Sequence, residues 1–333
     1  MKSAPGSSSA RAIAASVLEV EDLRVSFPHG RADRVEVVKG VSFSMSRGEA
    51  LAIVGESGSG KTMTSLSLLG LVPKPGDMRA ARLMVDGLDV TALGKREWPA
   101  VRGKNIAMVF QDALSGLNPV RTIGSILVEA IRRHQGLSTD EAKELAIKTI
   151  AAVGIPEPAA RFGVYPHQLS GGLRQRVMIA LAIVNRPSIV VADEPTTALD
   201  ATIQAQILEL LQEMVTDAAL ILVTHDLGVA ASICDRVAVM YAGRFVEVGP
   251  VDAVLSRPRH PYTAGLLAAV PRFERQRKAL IPIPGSPPSP DDVGAGCPFQ
   301  PRCARAQDRC AVERPPLEVL DGHPVACWNP VPR

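Results

Sequence analysis

No stretch of this chain holds the roughly 18 consecutive apolar residues that a membrane-spanning helix needs; the best local run, Val177 to Val184, has only the length of a core helix. By this reading the chain does not cross a membrane by itself. Nor is there a surplus of one charge. Against 37 Lys and Arg stand 34 Asp and Glu, a formal net charge of +3, and no basic run is interleaved with aromatic residues. Nucleic acid is therefore not an expected partner. No internal repeat of solenoid or propeller period is visible. Near the start a Ser run and Arg11 stand where a secretory signal would carry an apolar segment, so residues 1–16 read as a loose tail on a cytosolic chain. With 46% hydrophobic and 21% charged residues over 333 positions, wholesale disorder and fibrous architectures are excluded, and the length allows one large domain with a smaller addition.

From Val17 to about residue 270 short apolar runs alternate with longer helical patterns, which predicts an α/β domain. Ala50 to Val54 reads as a strand that ends at a glycine, and Thr62 to Leu71 carries leucines at helical spacing. Asp86-Gly87 after Arg82 to Val85 predicts a hairpin turn. Between residues 121 and 160 the pattern is helical, with Ser138 and Glu141 spaced as a capping box. Ser188 to Ala192 and Ala219 to Val223 are further buried-strand candidates. Ligands bind beyond the carboxyl ends of strands in open parallel sheets, so the polar residues there draw attention. After residue 271 the texture changes: IPIPGSPPSP (residues 281–290) holds five prolines in ten positions, which excludes a helix or a central strand and reads as a linker or extended wrap.

Gly55, Glu56, Ser57, Gly58, Ser59, Gly60, Lys61 and Thr62 fit the pattern G-x-x-x-x-G-K-[ST], followed by Met63. Such glycines let backbone amides turn inward around phosphate oxygens, the helix start adds its dipole, the lysine reaches the β and γ phosphates, and the hydroxyl can ligate magnesium. Asp193 and Glu194 end a buried strand. Asp193 is expected to hold hydrated magnesium and Glu194 to polarise the attacking water. His225 likewise follows a strand and is placed to reach the γ-phosphate; alone, a single histidine is weak support.

The segment Leu169, Ser170, Gly171, Gly172, Leu173, followed by Arg174-Gln175-Arg176, closely resembles the signature of ABC-transporter ATPases, and the resemblance runs from Leu18 to about Val270. It implies an α/β fold: a P-loop ABC ATPase core (17–270) with an antiparallel β subdomain and a helical subdomain near 112–178. It also implies that Gln111 is a glutamine sensing γ-phosphate and magnesium, that Asp200 in Ala198-Leu199-Asp200 is the D-loop acid, that His225 is the switch histidine, and that the signature binds ATP held by a partner subunit. Phe27 is the candidate for stacking on adenine, with a buried core Phe as the other reading.

Val109-Phe110-Gln111-Asp112 with Leu117-Asn118-Pro119, and His260-Pro261-Tyr262-Thr263, are similar to the peptide and nickel importer branch, from which Ala113 departs. The tail Gly296-Cys297-Pro298-Phe299-Gln300-Pro301-Arg302-Cys303 resembles the oligopeptide and dipeptide importer ATPases. The resemblance thus implies an ATPase subunit at the cytoplasmic face of the plasma membrane. It would dock on two permease subunits, pair with a second ATP-binding subunit, and be supplied by an extracytoplasmic peptide-binding protein. Nickel or glutathione import is the alternative within the family. A soluble, non-transport ABC ATPase is the alternative outside it.

Cys297, Cys303, Cys310 and Cys327 form the pattern C-x5-C-x6-C-x16-C in a small proline-rich segment at residues 271–333. Clustered cysteines in a cytosolic chain read as metal ligands before disulfides. The tight knuckles of zinc ribbons are missing, and some dipeptide-importer ATPases carry a [4Fe–4S] cluster in this tail. The expectation is an iron-sulfur cluster, with zinc, disulfides or free thiols as alternatives. Cys234 reads as a small buried hydrophobe.

Overall fold

The apolar alternation of the first strand slips by one position after Val20, and the structure answers with a bulge. In the computed structural model, which describes residues 16–30, 33–197, 199–214, 216–269 and 282–332, β1 (Ser16–His29) pairs antiparallel with β2 (Asp33–Ser46). Leu18 and Val20 face inward, then Leu23 and Val25 do so one position out of phase. One of the four register shifts in this pairing falls between Val20 and Leu23, where Asp22 takes φ 49, so one extra residue restores the apolar face. After β3 (Ala50–Val54) come β4 (Asp77–Arg79), β5 (Arg82–Val85) and β6 (Leu88–Asp89). Asp86 and Gly87 both take positive φ at the predicted hairpin turn, as its two-residue geometry requires. An antiparallel sheet results, ordered β2-β1-β5-β6 with β4 also on β1.

The second sheet adds β7 (Ile106–Val109), β8 (Ile189–Asp193), β9 (Ala219–Thr224), β10 (Arg236–Tyr241), β11 (Arg244–Pro250), β12 (Glu318–Leu320) and β13 (His323–Val325). Its order is β12-β13-β11-β10-β3-β9-β8-β7, parallel from β10 to β7 and antiparallel beyond β10. Strand alternation sorts its side chains into two cores. Ile53, Val191, Ile221 and Val223 face the first sheet. Val54, Val190, Leu220 and Leu222 face the helices, which include Ile123–Gln135, Thr139–Ala152 and Gly171–Ile183. The expected capping box is present: the Ser138 amide donates to Glu141 at 2.9 Å and the Glu141 amide to the Ser138 hydroxyl at 3.3 Å. Cys234 is buried, and burial pushes its thiol up to about 12.

The C-terminal strands are bound to the main sheet through a buried acid. Val325 of β13 pairs with Glu247 of β11. The Glu247 carboxylate, with no exposed surface, accepts from the Arg259 amide at 2.8 Å, the His260 amide at 2.9 Å and lies 2.8 Å from Nε2 of His323. A buried charge is tolerable with that many donors. Nearby, Phe299 packs against Tyr241 and Tyr262, with ring centroids 5.3 and 5.4 Å apart.

These contacts replace the staple expected from the cysteines, and that expectation must be corrected. Among the described residues no group of three or more His, Cys, Asp or Glu side chains could hold a metal ion, which overturns the iron-sulfur cluster at Cys297, Cys303, Cys310 and Cys327 and the zinc alternative with it. No disulfide forms among them either. Burial raises the thiols of Cys297 and Cys303 above their ordinary value and pushes Cys327 up to about 11. As free thiols in an apolar setting they favour the neutral form. Of the predicted tail at residues 1–16, residues 1–15 lie outside the described residues and Ser16 already opens β1; of the predicted linker at residues 281–290, only residue 281 lies outside them, as do residues 270–280 before it.

Candidate functional site

β3 ends at Val54 and the chain turns at once through the glycine-rich loop into helix Lys61–Leu68. Gly60 takes φ 107, and a Cβ there would stand 2.8 Å from the Val37 carbonyl oxygen; no residue with a side chain fits. The helix has no side-chain cap, which leaves its first amides available to an anion. Lys61, 6% exposed, donates to the carbonyls of Gly55 and Glu56 at 2.8 and 3.0 Å. Burial lowers its pKa, opposed by Glu194, Asp193 and Glu56. The Ser59 hydroxyl is buried with no hydrogen-bond partner among the described residues. A buried cation, uncapped amides and an orphan hydroxyl in one loop suit a polyphosphate.

The opposite wall comes from the ends of β8 and β9. Asp193 is 2% exposed and accepts from the Thr62 hydroxyl at 3.4 Å; burial raises its pKa, with the Thr62 bond working against the rise. Glu194 sits at φ 45, a strained conformation for an acid and one that clusters at functional sites. Three side chains converge on its carboxylate. Gln111 donates at 3.1 Å, Thr197 at 2.8 Å, and Nδ1 of His225 lies 3.4 Å away. Gln111 and His225 come from the ends of different strands, so the sheet alone brings them together.

Between the walls lies a cavity of about 720 Å³, lined by Ser57, Gly58, Gly60, Lys61, Thr62 and Met63 on one side and Gln111, Glu194 and His225 on the other. Val37 and Pro290 complete it; the sequence carries no local signal for either. Phe27 does not line this cavity. It pairs with Val35 in the first sheet, and its ring stands 2.7 Å from where a Cβ on Gly76 would lie.

Nor do Leu169, Ser170, Gly171, Gly172 and Leu173 reach the cavity of their own chain. Ser170 is the extended residue before helix Gly171–Ile183, and its hydroxyl caps nothing. Gly172 abuts helix Ala201–Met214, where a Cβ would come 2.9 Å from Ile203. The Asp200 carboxylate accepts from the amides of Thr202 and Ile203 at 3.1 and 3.0 Å, and so caps that helix; Ala198 beside it lies outside the described residues.

Residues 38–197 match the ABC transporter family and residues 246–310 match the oligopeptide/dipeptide transporter, C-terminal region. Curated relatives include the dipeptide transport ATP-binding protein DppD of Escherichia coli, 46% identical over 95% of this chain and 97% of that protein. DppD of Bacillus subtilis is 46% identical over 94% of each, and the oligopeptide transport ATP-binding protein OppD of Salmonella typhimurium is 46% identical over 95% of this chain and 94% of that one. Among solved structures, the dimeric post-hydrolysis state of the ATP-binding cassette MJ0796 bound to ADP and Pi superposes with a TM-score of 0.62 at 27% identity, over 70% of this chain and 98% of that one. Among the described residues no helix is long and apolar enough to cross a membrane. A phosphate loop facing a strand-end glutamate, in a cassette fold shared with these relatives, identifies the chain as a member of the ATP-binding subunits of the oligopeptide/dipeptide ABC transporter family.

Proposed function

We propose that this chain hydrolyses ATP to drive a membrane importer of dipeptides and oligopeptides. The convergence of Gln111, Thr197 and His225 on Glu194 beside the phosphate loop carries the reading. In it, Lys61 and the loop amides bind and orient the triphosphate, and Met63 and Val37 bound the cavity. The Glu194 carboxylate, held in place by Gln111 and Thr197, orients the attacking water and takes its proton. His225, on the far side of that carboxylate, bears on the terminal phosphate.

The oxygen donors of Thr62 and Asp193, with Gln111 nearby, are hard ligands of the kind a hydrated magnesium takes alongside substrate phosphates. Magnesium there would neutralise charge developing on the phosphoryl oxygens. Residues 169–173, turned away from their own cavity, are read as contacts to ATP on a second nucleotide-binding subunit, with Asp200 beside that interface. The dimeric state of the solved cassette supports such a pairing. The relatives' names support transport of peptides, hence two permeases, a different ATP-binding partner chain, delivery by an extracytoplasmic binding protein and a place at the cytoplasmic face. On this reading residues 17–270 are the nucleotide-binding domain, with its helical subdomain near 112–178, and residues 271–333 a linker and C-terminal domain.

The test is reconstitution with the permeases and the partner subunit. Peptide accumulation that requires ATP and is lost in Glu194→Gln, while nucleotide still binds, supports the reading. Uptake independent of ATP, or full turnover in that variant, overturns it.

A further inference from the structure

Glu56 puts a carboxylate into a loop whose work is to hold an anion, and the C-terminal segment answers it. Arg302, its side chain 5% exposed, grips the Glu56 carboxylate in a two-pronged pair, Nη1 to Oε2 at 2.7 Å and Nη2 to Oε1 at 3.0 Å. The rest of the guanidinium is used as well: it donates to the Tyr241 hydroxyl at 3.2 Å and to the carbonyls of Pro284 and Gly285 at 2.8 and 3.3 Å. All five N–H groups are thus engaged, a geometry lysine cannot reproduce. The Glu56 amide donates to the Tyr262 hydroxyl at 2.8 Å, and its carbonyl accepts from Lys61 at 3.0 Å. One loop residue therefore links the C-terminal segment to the phosphate-binding lysine. The same segment returns at Pro290, whose carbonyl accepts from Lys39 at 3.2 Å and which lines the nucleotide cavity.

We propose that Arg302 is a positioning residue of the ATP site, resting on the ATPase reading above: it holds the phosphate loop in its binding shape and neutralises the one acid within it. An unpaired carboxylate at position 56 would repel the triphosphate and be free to draw Lys61 away from it. The C-terminal segment thereby sets ATP affinity through Glu56, without touching the reacting atoms.

The experiment compares wild type, Arg302→Ala, Arg302→Lys, Glu56→Gln and the double variant Arg302→Ala/Glu56→Gln in the assembled transporter, reading Mg·ATP affinity and steady-state turnover. Arg302→Ala is expected to weaken ATP binding about tenfold, with KM rising in step and kcat at saturating ATP within about twofold, a loss of uniform binding. Arg302→Lys, keeping the charge without the fork, falls between. Removing the acid as well should restore affinity to within about threefold of wild type, because the repulsive charge has gone. An Arg302→Ala protein that binds ATP like wild type overturns the proposal, and so does a double variant as weak as Arg302→Ala. If Arg302→Ala does not assemble, Arg302→Lys with and without Glu56→Gln decides by the same signs. Wild-type turnover is measured first. Failure of the ATPase reading shows as absent hydrolysis throughout, whereas failure of the Arg302 assignment shows as intact hydrolysis with unmoved affinity.

Discussion

The phosphate loop and the C-terminal segment meet at one ion pair, yet they are built on opposite principles. The loop leaves polar groups open: the helix at Lys61 has no side-chain cap and the Ser59 hydroxyl no partner. In the C-terminal segment Arg302 spends every donor, and His323 reaches the buried Glu247 of β11, which also receives two amides. Buried groups left open cost stability unless a ligand completes them. In the loop the open groups are ones a bound anion would complete, whereas Arg302 and Glu247 are already completed by the protein and hold it together.

The sharpest break of this contrast lies at Glu194. Glu194→Gln should lower ATP turnover by roughly 100- to 10,000-fold while nucleotide affinity stays near wild type, read by phosphate release and equilibrium binding on the assembled transporter. A fall in both together would place Glu194 with the holding groups instead.

On the closed side, Glu247→Ala strands three buried donors and should cost about 3–5 kcal/mol, measured by urea unfolding. Limited proteolysis should then cut first within residues 282–332, since β13 loses the hub that fastens it to β11.

A gentler probe is pH. Burial pushes His260 down to about 3, and its Nδ1 accepts from the Tyr262 amide at 3.0 Å, which requires the neutral ring. The unfolded chain takes up this proton near pH 6.5 and the folded chain refuses it, so this contribution is complete above pH 6.5 and lost as pH falls toward 3. The slope should approach ~1.4 kcal/mol per pH unit. His260→Gln should flatten the unfolding free energy between pH 6.5 and 4.5; an unchanged slope would show that other groups carry it.

The smallest effect expected is from metal removal. Dialysis against a strong chelator without nucleotide should leave stability within about 0.5 kcal/mol, as should Cys303→Ser to within about 1 kcal/mol. A larger drop in Tm on chelation would reopen the question of what holds the C-terminal segment.

Much of the loop side was readable because its chemistry is local. Gly60 and Lys61 are adjacent, the capping box at Ser138 and Glu141 spans one turn, and the Asp86-Gly87 turn is set by two backbones. Glu194 could be placed from a strand end, but not the arrival of Thr197 at 2.8 Å or the φ of 45 at which it is held. Reading failed where spacing stood in for geometry. Four cysteines at suggestive intervals do not converge into a metal site among the described residues.

By itself, then, the sequence determined the phosphate loop, the parallel strands that carry the acids and the family to which the chain belongs, since each rests on contacts spanning a few residues or on residue types in a set order. Only the tertiary structure decided that Arg302 grips Glu56 across 246 positions of chain and that Glu247 anchors the terminal hairpin. A pairing between distant residues depends on how sheets and helices bring their surfaces together, and no local pattern of side chains encodes that approach.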